Sequence, residues 1–72
     1  MELKKYELIF DGDSIFVETY NSKKFRNELI ELLNENEILS FETLTYLDID
    51  TLMIITQIEM SCEIKITIME VL

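Results

Sequence analysis

Two pairs of aspartates, Asp11/Asp13 and Asp48/Asp50, are the residues of this chain whose type and spacing best fit chemistry. Paired carboxylates hold hard cations such as Ca²⁺ and Mg²⁺, which take oxygen ligands. Each pair also falls where the chain is expected to turn, and aspartate is favoured there because its side chain bonds the nearby backbone. Solvated turn carboxylates are the plainer reading, so no metal or other cofactor is expected. Cys62 is the only cysteine, which rules out an internal disulfide and a cysteine-based metal site. It reads as a small buried or turn residue. Histidine, the commonest general acid-base group, is absent, and Gly12 is the only glycine, so no glycine-rich phosphate loop exists. An enzyme is not expected.

Three local likenesses touch these residues. Phe10-Asp11-Gly12-Asp13-Ser14 resembles the opening of an EF-hand loop, without the later ligands and the closing glutamate. The same segment and Leu47-Asp48-Ile49-Asp50-Thr51 resemble the strand-end motif of haloacid-dehalogenase-type phosphatases, a likeness that implies a much larger α/β domain with further catalytic segments. Residues 48–66, through Asp50-Thr51-Leu52 and Ile64-Lys65-Ile66, are similar in spacing to the second helix and following loop of acyl carrier proteins. Asp48 falls where that family carries its phosphopantetheine serine, so this resemblance implies an inactive, helical, carrier-like protein.

Charge restricts partners more sharply than these motifs do. Fifteen acidic and six basic residues give a formal net charge of -9. Such a chain repels phosphate backbones, which excludes direct nucleic-acid binding, and it attracts basic surfaces, including the nucleic-acid groove of another protein. The apolar runs Leu8-Ile9-Phe10 and Leu52-Met53-Ile54-Ile55 are far shorter than the ~20 residues of a membrane helix. No charged-then-apolar signal segment opens the chain, and a soluble, cytoplasmic protein with no membrane partner is expected. At 72 residues, with a hydrophobic fraction of 49%, it reads as one domain, 1–72, with a packed core.

Periodicity supplies the elements. Tyr6, Leu8 and Phe10, then Ile15, Val17 and Thr19, alternate at period two around Asp11-Gly12-Asp13-Ser14, which predicts a β-hairpin pairing Phe10 with Ile15, or shifted by two with a turn at Asp11-Gly12. Asn21 or Ser22 caps a helix from Lys23 to about Asn34, with Phe25, Leu29, Leu32 and Leu33 on one stripe and Ile30 at its edge. Its charges oppose its dipole: Lys23, Lys24 and Arg26 stand at the N-terminus, and Glu31, Glu35 and Glu37 towards the C-terminus. The hairpin carboxylates Asp11, Asp13 and Glu18 are the expected internal compensation. Beyond the helix, Leu39, Phe41, Thr43, Thr45 and Leu47 alternate again. Thr51–Met60 is rich in β-branched residues, and Ile64, Ile66 and Ile68 alternate with Glu63, Lys65 and Thr67. These predict three further strands, hence an α+β fold of two layers. It would be a mostly antiparallel five-stranded sheet with one helix on one face, in the order β-β-α-β-β-β.

One short helix covers one face of such a sheet, which would leave Phe16, Tyr20, Leu44, Tyr46, Met53, Ile55, Met69 and Val71 on the other, to be buried in a homodimer or against a partner. Met69-Glu70-Val71-Leu72 would extend an edge strand into a neighbour. Three function classes follow. The first is a small acidic inhibitor of a basic, nucleic-acid-binding host protein, of the type encoded by phages and mobile elements. Its contact carboxylates would be Asp11, Asp13, Glu35, Glu37, Asp48 and Asp50, and its apolar contacts Phe16, Tyr20, Leu44, Tyr46, Met53 and Ile55. The second is a homo-oligomeric accessory or structural protein, and the third is a cation-binding module built on an Asp-x-Asp pair.

Overall fold

The computed structural model describes residues 2–11 and 13–71, with the backbone alone for 13–17. Three strands and three helices follow one another as β1 (Glu2–Phe10), β2 (Asp13–Thr19), α1 (Ser22–Glu35), α2 (Phe41–Thr45), α3 (Ile49–Glu59) and β3 (Glu63–Glu70). The sheet is antiparallel throughout in the order β2-β1-β3, with β1 in the centre. The α+β class holds, but the five-stranded sheet with one helix does not.

The predicted hairpin forms, starting in the shifted of its two expected registers. Phe10 stands opposite Asp13, as a two-residue turn requires, and Asp11 takes φ 50. Two irregularities then add residues on β2, so Leu8 faces Phe16 and Tyr6 faces Thr19. Helix α1 begins where its cap predicts: the Asn21 side-chain oxygen accepts from the amides of Lys23 and Lys24 at 3.0 and 3.1 Å. Its stripe buries Phe25, Leu29, Ile30 and Leu33, while Leu32 is only partly buried. Phe25 stacks on Tyr6 of β1 with ring centroids 5.0 Å apart, which fixes the helix over the sheet.

Residues 41–45 and 49–59 are helical, not extended, and local capping explains why. Ser40 Oγ accepts from the Thr43 amide, and Asp48 Oδ1 accepts from the Thr51 amide at 2.8 Å, so each acts as an N-cap. Ile49, Leu52 and Thr56 then recur at i, i+3 and i+7, with Leu52 and Thr56 fully buried. The β-branched residues cost α3 a few tenths of a kcal/mol each in propensity, whereas burying a leucine is worth about 1.5–3 kcal/mol. Burial therefore wins. The buried Thr56 hydroxyl is satisfied by donating to the Leu52 carbonyl at 2.7 Å.

Two helices end on left-handed residues that are not glycine. After α1, Glu37 takes φ 57, its amide donates to Asn34 O, and the Ile38 amide reaches back to Leu33 O at 3.0 Å. After α3, Ser61 takes φ 50 and the Cys62 amide bonds Gln57 O at 3.3 Å. Both are Schellman closures, in which the residue past the cap must turn left-handed.

The sheet's second face is mixed rather than apolar, with Leu3, Ile9 and Met69 among charged residues. Lys5, Glu7, Glu63, Lys65 and Thr67 share the side opposite Tyr6 and Leu8, and Lys5 Nζ pairs with Glu7 at 2.9 Å and Glu18 at 3.1 Å. Glu18 thus serves Lys5, not the N-terminus of α1. Among the described residues no helix is long and apolar enough to cross a membrane.

Candidate interaction surface

The six predicted contact carboxylates fall at separate places. Asp11 is exposed at the hairpin turn, and the Asp13 side chain lies outside the described residues. Glu35 ends α1 and Glu37 follows it in the left-handed position. Asp48 caps α3, and Asp50 lies in its first turn. Thr51 holds the Asp48 carboxyl below its ordinary pKa, by bonds to its side chain and then its backbone. The start of α3 lies beside the early part of α1, because Arg26 reaches the Leu47 carbonyl. Glu35 is nine residues further along α1, a rise of about 13 Å. Among the described residues no three His, Cys, Asp or Glu side chains are grouped to hold a metal.

The apolar list disperses too, because its members were assigned to a sheet face that does not form. Leu44 is fully buried in the core, and Met53 and Ile55 are half-buried on α3. Tyr20 and Tyr46 are exposed, at 47% and 84%, while the Phe16 side chain lies outside the described residues. Cys62 packs against the core behind α3, its thiol donating to the Thr56 carbonyl at 3.5 Å, and burial pushes its pKa up. The helix of the acyl-carrier likeness is present over 49–59, but Ile64-Lys65-Ile66 pairs with β1 as strand instead of forming that family's loop.

Beyond Arg26 the helical part of the chain carries charge of one sign. From Asn27 to Ile64 the chain contains no lysine or arginine, and it carries Glu28, Glu31, Glu35, Glu37, Glu42, Asp48, Asp50, Glu59 and Glu63. The last cation before this stretch, Arg26, is turned into the fold: its Nη2 donates to the carbonyls of Thr45 and Leu47 at 2.9 and 3.0 Å. A cation at the carbonyl end of α2 is favourably placed, so an arginine that opposes the dipole of α1 serves that of its neighbour. The same bonds hold α2 against α1 and open a groove of about 490 Å³ between them, lined by Arg26, Asn27, Ile30, Glu31, Asn34, Glu35, Phe41 and Thr45.

Glu31 and Glu35 stand four residues apart, on one stripe of α1 along this groove. Phe41, at the start of α2, is 60% exposed beside them. Carboxylates next to an accessible aromatic ring suit a lysine or arginine side chain, whose charge the former pair and whose stem or guanidinium the latter packs against. Glu35 was legible as a candidate, whereas Glu31 and Phe41 were not, because the groove exists only once residues 41–45 are helical. The sequence signal that could have found it is the cation-free stretch itself. Compared with known proteins, the chain matches no family model, no curated protein and no solved structure.

Proposed function

We propose that this chain is a small acidic interaction module that engages a basic face of another protein, in the manner of an inhibitor that occupies a nucleic-acid-binding groove. The observation that carries the reading is the α1–α2 groove with Glu31, Glu35 and Phe41, within a stretch from Asn27 to Ile64 that contains no lysine or arginine. A one-signed surface steers an oppositely charged partner by its summed field, and an exposed ring beside it adds a short-range anchor. The module acts by contact and without chemistry of its own. The contact carboxylates then come from the helical layer, with Glu35 and Glu37 retained from the original set and Asp48 engaged in capping.

A pull-down from cells of the source organism, at low and high salt and with the doubly reversed variant Glu31→Lys/Glu35→Lys alongside, tests this. The expected catch is a basic nucleic-acid-binding protein that is released by high salt, lost with the variant and displaced by its own nucleic acid. A partner captured equally well by the reversed variant, or indifferent to salt, would overturn the reading.

A further inference from the structure

We infer that β3 is a self-pairing edge, through which two copies join their sheets into one of six strands. Strand β3 lies at the border of the sheet, and its first residue facing away from β1 can be identified. The Ile64 amide donates to Gln57 Oε1 at 3.1 Å, so it points outwards. In an antiparallel ladder the residues bonded to the neighbouring strand alternate with those that are not, so Ile66 and Ile68 also direct their main-chain groups outwards. Gln57 seals only the first of these positions. The strand carries no proline and no bulge against β1, two of the usual devices that blunt an edge, and its charges are confined to Glu63, Lys65 and Glu70.

Its side chains require cover as well. Strand β2 ends at Thr19, opposite Tyr6, whereas the β1–β3 ladder runs on to Glu2 and Glu70 as a two-stranded ribbon, a marginal structure by itself. Ile68 is 60% exposed on this ribbon and Ile66, opposite Tyr6 at its start, 42%, both on the helix side of the sheet.

The occupant follows from register. With a two-fold axis at Thr67, Ile66 of each copy faces Ile68 of the other and exchanges two reciprocal pairs of main-chain hydrogen bonds, while the four isoleucines form one ladder. Lys65 then faces Met69 and Ile64 faces Glu70, so no like charges are opposed. An axis at Lys65 would oppose two lysines, and an axis at Ile66 would need the Ile64 amide that Gln57 already holds. An axis at Ile68 opposes no like charges either but sets Ile66 against Glu70, so the axis at Thr67 is the register that pairs Ile66 with Ile68 in both directions without calling on the Ile64 amide.

Each copy carries -9, so the association strengthens as salt screens the repulsion, opposite to the behaviour of a basic partner. Sedimentation of the full chain across a salt series is expected to show a dimer favoured at high salt. Ile68→Lys is expected to weaken it about a hundredfold, roughly tenfold for each isoleucine removed. Ile68→Pro removes only an outward amide and should give a folded monomer by circular dichroism. In a Cys62→Ser background, Thr67→Cys should form an intermolecular disulfide, since the two-fold brings residue 67 opposite itself, and Lys65→Cys should not. A monomer at every salt concentration, or a dimer untouched by both Ile68 variants, would overturn the inference. Because the salt dependences are opposed, failure here and failure of the groove reading are distinguishable.

Discussion

Replacing Glu37 by glycine should stabilise this protein while removing one of its candidate contact carboxylates. Glu37 holds φ 57 to close the Schellman turn after α1, a conformation that costs an L-residue about 1–2 kcal/mol. Its carboxylate also stands at the carbonyl end of the helix, where a negative charge costs about 0.3–1 kcal/mol. Glycine relieves both, offset by the roughly 0.5–1 kcal/mol of extra freedom it loses on folding. The expected net gain is about 1 kcal/mol, which for a domain of this size raises Tm by roughly 4–8 °C. Urea denaturation of Glu37→Gly, Glu37→Asn and Glu37→Ala separates the contributions. Alanine removes the charge and keeps the backbone cost, asparagine tolerates the left-handed region, and glycine pays no steric cost there. The expected order of stability is Gly, then Asn, then Ala. A glycine variant no more stable than the alanine variant would refute the backbone argument. A gain in stability accompanied by weaker partner binding would mean that the strained residue is kept for its carboxylate.

Other perturbations discriminate equally well. Leu44→Ala should cost about 2–5 kcal/mol, because the side chain is fully buried, whereas Tyr46→Ala, at an 84% exposed position, should fall within about 0.5 kcal/mol; comparable urea midpoints would revive the shared sheet face that the sequence suggested. Hydrogen bonds and charge attraction from Glu7 and Glu18 raise the Lys5 pKa from 10.5 to about 12. A raised pKa contributes stability that is complete below 10.5 and disappears as pH rises through about 12, so the stability difference between wild type and Lys5→Met should shrink across that window. The Asp48 carboxyl is held down by Thr51, which has the opposite sign: its contribution is present above its ordinary 3.8 and is lost as pH falls below it. Asp48→Asn should keep the cap at neutral pH and lack that acid-dependent loss, as thermal melts at each pH would show. The Cys62 thiol, raised in pKa by burial, should react slowly with thiol reagents in the folded protein and at the free-thiol rate in denaturant.

The parts of this fold that were legible in its sequence share one property: their signal is local. Asn21 and the Phe25-Leu29-Leu33 stripe define α1 within a few turns of chain. Asp11-Gly12 set the first hairpin, and Ile64, Ile66 and Ile68 set β3, because a period of two or of 3.6 is written into neighbouring residues. From Leu39 to Met60 the local preferences point the wrong way, since threonine and isoleucine favour strand. Their helical state was decided by the caps Ser40 and Asp48 and by burial of Leu44, Leu52 and Thr56 against α1, contacts that β propensity does not register. The acidic balance was likewise a property of the sequence. Its gathering into a groove of Glu31 and Glu35 beside Phe41 was not, because that groove depends on Arg26 reaching carbonyls about twenty residues away. Composition determined the sign of the surface, and tertiary packing, which buries some apolar residues and leaves others at edges, decided where that surface lies.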